Sequence, residues 1–178
     1  VTWYKIVNDK FAQMALFDAA GSPNSDANIK EFSGESASDG LEIDINGTIV
    51  DGLHFLAGYS YNYMRYTKTL EAPTAIIEGE RLVGTTKNTA NGSLFYTFGS
   101  GAVKGLKIGA SAFYTGDRNG GRNTNKAGTS TGIIPIKGFT TVDLSAGYSW
   151  KKISFDLYFD SFWSHKSECY AVVFINLR

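Results

Sequence analysis

The sequence predicts an all-β protein, a portion of an antiparallel up-and-down transmembrane β-barrel of about eight or nine strands. Isolated, such a portion is expected to stand as an open curved sheet. Three observations predict this. The first is alternation. From Leu53 the chain runs LHFLAGYSYNYMRY, with Leu53, Phe55, Ala57, Tyr59, Tyr61 and Tyr63 on one side and His54, Gly58, Ser60 and Asn62 on the other. That is the period of a strand with one apolar and one wet face. The second is length, because this strand and its partner exceed the roughly 5–6 residues usual in soluble sheets and suit a tilted membrane strand of about 9–11. The third is the sorting of connections. Short turns at 50–52, 99–104 and 151–152 alternate with long ones at 67–86 and 116–136, as in barrels with short periplasmic turns and long extracellular loops.

Taken in order, Val1 to Ile6 reads as a short strand and Ala12 to Phe17 as another. Asp18 to Asp26 is turn chemistry, rich in Gly, Ser, Pro and Asn. Ile29 to Glu35 reads as a third strand, and Ser38-Asp39-Gly40 leads into a hairpin whose first strand opposes Leu41, Ile43 and Ile45 to Glu42, Asp44 and Asn46. Asn46-Gly47 and Asp51-Gly52 compete for its turn. A turn at Asn46 leaves about six residues, too short to span a membrane, so the turn is placed at Val50-Asp51-Gly52 and Gly47 becomes a bulge or close-approach glycine. After the polar connection comes the strand Asn88 to Phe98, turned by Gly99-Ser100-Gly101. Leu106 to Thr115 alternates next, then Gly138 to Trp150, and after Lys151-Lys152 a strand opens with Ile153, Phe155, Leu157 and Phe159.

Composition narrows the classes. The 178 residues carry a formal net charge of +0, which argues against nucleic-acid binding driven by phosphate neutralisation. Gly 20, Tyr 10 and Phe 12 against Pro 3 suit a curved sheet with aromatic girdles. The one cysteine excludes an internal disulfide framework or a Cys-based metal cluster. No run approaches ~18 apolar residues, as a transmembrane helix requires. Val1-Thr2-Trp3-Tyr4 starts mid-strand without signal-peptide features, so a piece of a longer chain is expected.

Five pieces carry a family resemblance: Ser38-Asp39-Gly40-Leu41-Glu42-Ile43-Asp44, Ala57-Gly58-Tyr59-Ser60-Tyr61, Lys87-Asn88-Thr89-Ala90-Asn91, Tyr114-Thr115-Gly116-Asp117-Arg118, and Gly138-Phe139-Thr140-Thr141-Val142-Asp143-Leu144. In this order and spacing the stretch from about Phe32 to Trp150 resembles the C-terminal barrel part of a TonB-dependent outer-membrane siderophore receptor. The resemblance implies a barrel of about 22 strands with a plugged lumen, in the outer membrane of a Gram-negative bacterium. Residues 1–160 are the partial barrel. Residues 161–178, from Ser161-Phe162-Trp163 through Cys169 to Arg178, depart from the family's aromatic-ended last strand. A frameshift, truncation or assembly scar near Asp160 is the expectation.

The implied partners are a ferric siderophore, outer-membrane lipid, and TonB through an N-terminal plug region that lies outside these residues. Iron would travel inside its chelator, so neither a cofactor nor a protein-bound metal is expected. In the family, ligand is captured by extracellular loops and lumen-facing residues near the top. That nominates Tyr63, Arg65 and Tyr66 at one lip and Arg118, Arg122 and Lys126 in the loop 116–136 as contacts for an anionic iron complex. Arg118 is equally a structural partner for Asp117. Glu42, Asp44 and Asp143 on wet faces read as lumen-lining charges rather than an acid–base pair. His54 and His165 lack metal-ligand spacing, and the glycine-rich 116–132 has no phosphate-loop ending. No catalytic constellation results, and an enzyme is not expected. The alternative from another class is a stand-alone barrel of about eight strands closed around an apolar ligand.

Overall fold

The computed structural model describes residues 1–26, 28–70, 78–124, 130–150, 153–163 and 169–177. They form strands β1 (Thr2–Met14), β2 (Lys30–Val50), β3 (Leu53–Lys68), β4 (Asn88–Thr97), β5 (Leu106–Thr115), β6 (Arg118–Thr124), β7 (Ser130–Ile136), β8 (Phe139–Trp150), β9 (Ile153–Trp163) and β10 (Cys169–Leu177). Eight of these make one antiparallel sheet in the order β1-β2-β3-β4-β5-β8-β9-β10, and β6 pairs with β7. The sheet is open, with β1 and β10 as its edges. A small cylinder closed on itself, which the alternative reading requires, is therefore not what forms.

The register sorts the side chains by chemistry. Directly opposed residues share a face, and one face collects Leu41–Tyr61, Ile43–Tyr59, Ile45–Ala57, Phe55–Leu94, Leu94–Ala110, Ala110–Leu144 and Ala112–Val142. The opposite face collects Glu42–Ser60, Asp44–Gly58, Gly58–Asn91, Ser93–Ser111 and Ser111–Asp143. Among the described residues the buried apolar side chains are Ala15 and Ala37, while Leu94 and Leu144 stay 50% and 52% exposed. Such a sheet has no core of its own. Its apolar face is matched to lipid and its polar face to a lumen.

Aromatic side chains bound that apolar face at both ends. Tyr96 and Phe98 meet edge-on at 4.7 Å beside the short turn after β4, and Tyr148 lies opposite Leu106. Toward the long connections stand Trp3 and Tyr61, both opposite Leu41, and Tyr59 and Tyr114, both opposite Ala90. From the Leu106 rung to the Tyr114 rung is about 27 Å along the strand at ~3.4 Å per residue. At a tilt of ~40° this is roughly 20 Å of membrane, near the ~25 Å apolar band of outer-membrane barrels.

The turn at residues 51–52 is where the alternation places it, and Gly52 sits there at φ 84°. Gly47 is a close-approach glycine: a Cβ there would come within 2.9 Å of the Phe55 ring across the ladder. Three expectations are corrected. The strands expected at Val1–Ile6 and Ala12–Phe17 merge into one strand, β1, which ends at Met14, because Lys10 takes a left-handed φ of 58° and forms a bulge that shifts the alternation without ending the ladder. The segments Ile29–Glu35 and Gly40–Val50 are likewise one strand, β2. Ser38-Asp39-Gly40 is no lead-in but runs inside β2, opposite Ile6, Lys5 and Tyr4, and the Tyr4 ring occupies the place a side chain on Gly40 would take. Finally, 116–136 is not simply a loop but holds the β6–β7 hairpin.

Lys151-Lys152, expected to turn between β8 and β9, lies outside the described residues. Residues expected off the pattern continue the sheet: β9 extends to Trp163, and β10 pairs with it from Cys169 opposite Ser161 to Leu177 opposite Ile153.

Candidate functional site at the long-loop end

The connections after β1, after β3 and after β5 all leave from the same end of the sheet, opposite the two-residue turn. There the wall continues beyond the apolar band. Residues 79–87 run back along β3: the Gly79 amide donates to the Tyr66 carbonyl (2.7 Å), the Tyr66 amide to Glu80 (3.0 Å), the Leu82 amide to Met64 (3.1 Å) and the Asn62 amide to Lys87 (2.8 Å). The β6–β7 hairpin is the upward continuation of β5 and β8. Thr115 faces Phe139, and three residues further on Arg118 faces Ile136, so the register carries through the break at 116–117 and 137–138.

Asn119 joins the two extensions. It is 1% exposed, its side-chain amide donates to the Arg81 carbonyl at 2.7 Å, and its carbonyl accepts the Gly84 amide at 2.8 Å. Its Oδ1 accepts the Gly121 amide at 2.9 Å. The ion pair of Arg122 with Glu80 crosses the same junction, with the carboxylate side chain 6% and the guanidinium 16% exposed. Arg81 pairs with Asp117 at 2.8 Å. Its guanidinium, first as hydrogen-bond donor and then as a charge, holds the Asp117 carboxyl below the usual range.

The residues nominated from sequence divide between the two faces. Tyr63 and Arg65 keep the phase of the apolar face. Arg65 pairs with Asp39 (2.5 Å), its guanidinium carbon lies 4.9 Å from the Tyr63 ring centre, and Lys87 Nζ lies 4.2 Å from that ring. Tyr66, opposite Ser36, takes the polar phase, with Phe11 packed obliquely against its ring at 5.9 Å. Arg122 is drawn into the Glu80 pair. Arg118 approaches the Phe139 ring at 5.7 Å, and the partner expected for it, Asp117, is bound by Arg81 instead. Lys126 lies outside the described residues.

Sequence reasoning missed Glu80, Arg81, Asp117 and Asn119 as the parts that fix the loops. Only the Asp-Arg-Asn-Gly-Gly turn chemistry at 117–121 hinted at them. No group of three or more His, Cys, Asp or Glu side chains suited to a metal ion is found among the described residues. The arrangement is a polar rim cross-braced by the Asn119 hydrogen bonds and the Glu80–Arg122 and Arg81–Asp117 ion pairs.

Comparison with known proteins agrees with this wall. The chain is 27% identical over 124 residues to the Metal-pseudopaline receptor CntO of Pseudomonas aeruginosa, a match covering 70% of this chain and 16% of that protein. It is 30% identical over 131 residues to a TonB-dependent receptor of Haemophilus influenzae, covering 73% and 37% of the two chains. Against the Ferrioxamine B receptor of Salmonella typhimurium it is 29% identical over 120 residues, covering 67% and 15%. The fold superposes on P. aeruginosa FpvA, solved bound to an iron–pyoverdine complex, with a TM-score of 0.64 at 20% identity, over 89% of this chain and 20% of that one. The chain thus spans only a fraction of each relative's length. These relatives are receptors and not enzymes, and barrels of this kind sit in the outer membrane of Gram-negative bacteria. Residues 1–160 match the model of the TonB dependent receptor-like, beta-barrel family, and to that family the chain belongs.

Proposed function

We propose that this chain is part of the wall of an outer-membrane active transporter that takes up ferric siderophore complexes, energised through TonB by a plug region outside these residues. The observation that carries the reading is the two-faced sheet. Its polar face carries Asp44 and Asp143 at the level of the apolar band and, beyond that band, a mouth braced by Glu80, Arg122 and Asn119. Relatives named for a metal–pseudopaline complex and for ferrioxamine B support the substrate class. Within this reading Tyr66 and Arg122 are the inward contacts, and Tyr63, Arg65, Arg118 and Lys126 complete the lip.

The test is uptake by cells. A strain deleted for the intact gene is grown under iron limitation with a panel of radioiron-labelled ferric chelates. Import of one or more is expected to be lost and restored by the gene. Unchanged import of every chelate, or epitope tags in 67–86 and 116–136 that are reachable only from the periplasm, would overturn the reading.

A further inference from the structure

Arg65 and Arg122, which sequence alone offers to an anionic complex, are already paired, with Asp39 and with Glu80. So are Lys68, with Glu35, and Arg81, with Asp117. Arg118 leans on the Phe139 ring. Lys87, beside Asn62 of the polar face, sits over the Tyr63 ring, and its charge acts on the Asp117 carboxylate. Between these groups the polar-phase rungs of β1–β3 are uncharged, with Ile6 and Met64 opposite Ser38, and Asn8 and Tyr66 opposite Ser36. Lower on that face the wall turns acidic. Glu42 and Asp44 take successive exposed places on β2, opposite Ser60 and Gly58, and Asp143 stands opposite Ser111. Among the described residues no cation is within ion-pair distance of Glu42 or Asp44. Asp44 Oδ1 and Asn91 Oδ1 overhang Gly58, where a Cβ would meet them at 2.9 and 2.5 Å.

We infer that the ferric complex taken up along this wall carries no net negative charge and is of the hydroxamate class. The inference rests on the proposed uptake role and narrows its substrate. A full set of hydroxamates, each giving one negative charge, neutralises ferric iron, and a free amine on the chelator makes the complex a cation. Catecholates give two charges each and leave a polyanion. Such a polyanion meets cations that are already paired and then carboxylates that repel it, whereas an ammonium group meets oxygen acceptors. A lumen lined by one sign of charge focuses its field and alters local ligand concentration by roughly tenfold or more.

The test measures binding to the purified full-length receptor at low ionic strength, read by quenching of its tryptophan fluorescence. The probes are a linear ferric tris-hydroxamate with a terminal ammonium, its uncharged N-acetyl form and its anionic N-succinyl form, which share one iron centre. A ferric tris-catecholate is the polyanion. The ammonium form is expected to bind about tenfold more tightly than the succinyl form, with the acetyl form between and the tris-catecholate weakest. The spread should collapse in about 1 M salt. Glu42→Gln/Asp44→Asn is expected to shrink the ammonium-to-succinyl ratio severalfold, while unchanged binding of the acetyl form reports an intact fold. Succinyl or tris-catecholate binding as tight as that of the ammonium form overturns the inference without any variant needing to fold, and so does an unchanged ratio in the variant. Either result leaves the receptor reading standing. Uptake of no ferric chelate at all by cells overturns that reading itself.

Discussion

Glu80 and Arg122, 42 residues apart, form an ion pair that fastens the segment after β3 to the β6–β7 hairpin. Because the Glu80 carboxylate is almost fully covered, removing one partner leaves a desolvated charge. Arg122→Ala or Glu80→Ala is expected to cost about 3 kcal/mol of local stability, the low end for a buried pair because Arg122 keeps some contact with solvent. Hydrogen exchange of residues 78–87 and 118–124 in the intact receptor would rise together. The double change Glu80→Met/Arg122→Met is expected to restore most of the protection, since an apolar pair carries no such penalty.

The Tyr4 ring over Gly40 is a second coupling. Alanine at 40 places a methyl group against the ring, so Gly40→Ala is expected to destabilise the barrel by about 1–3 kcal/mol. Tyr4→Ala removes the obstruction. In a double-mutant cycle read by urea unfolding of the intact protein, the two losses should fall short of adding. Simple additivity would show that the ring moves aside at no cost.

How far the chain can be read without its structure depends on whether alternation survives. From Leu53 to Tyr63 it does, and with it the face, the turn at 51–52 and the membrane-spanning length were all legible. It breaks where one residue leaves the extended conformation, as at Lys10, and where a glycine is completed by a neighbour's ring, as at Gly40. There, one strand reads as two. The β6–β7 hairpin was hidden because Arg118–Thr124 is mostly Gly, Asn and Arg, with no apolar face to alternate. Tyr63, Arg65 and Tyr66 sit almost side by side in sequence, yet strand parity sends the first two to the lipid side and the third to the lumen. The junction at Glu80, Asn119 and Arg122 rests on contacts between distant irregular segments, and local pattern carries no trace of such contacts.

Acid should loosen the Arg81–Asp117 contact. The Asp117 carboxyl is held below its ordinary value by Arg81, so the unfolded segment binds its proton first as pH falls. The contribution is therefore present above an unfolded value near ~3.9 and is lost as pH drops through the lower folded value. After correction for intrinsic rates, amide exchange around 117–119 is expected to accelerate in that acidic window and to stay level above about pH 5. In Asp117→Asn the same amides should show the faster exchange already at neutral pH and no acid step. The effect is small, because the Asp117 side chain is 67% exposed.

The assignment of faces is the premise beneath the proposed function, and two adjacent positions test it. Ala110 lies between Leu94 and Leu144 in mid-band, while its neighbour Ser111 lies between Ser93 and Asp143. Arginine at 110 would place a charge in hydrocarbon at a cost of about 2–4 kcal/mol near the midplane. Arginine at 111 would enter a wet lumen beside the Asp143 carboxylate and cost little. Urea unfolding of the two variants of the full-length protein in bilayers should therefore separate them by at least about 2 kcal/mol. Equal costs would mean that the apolar side chains do not face lipid. The reverse order would turn the sheet inside out, placing Tyr66 and Arg122 toward lipid.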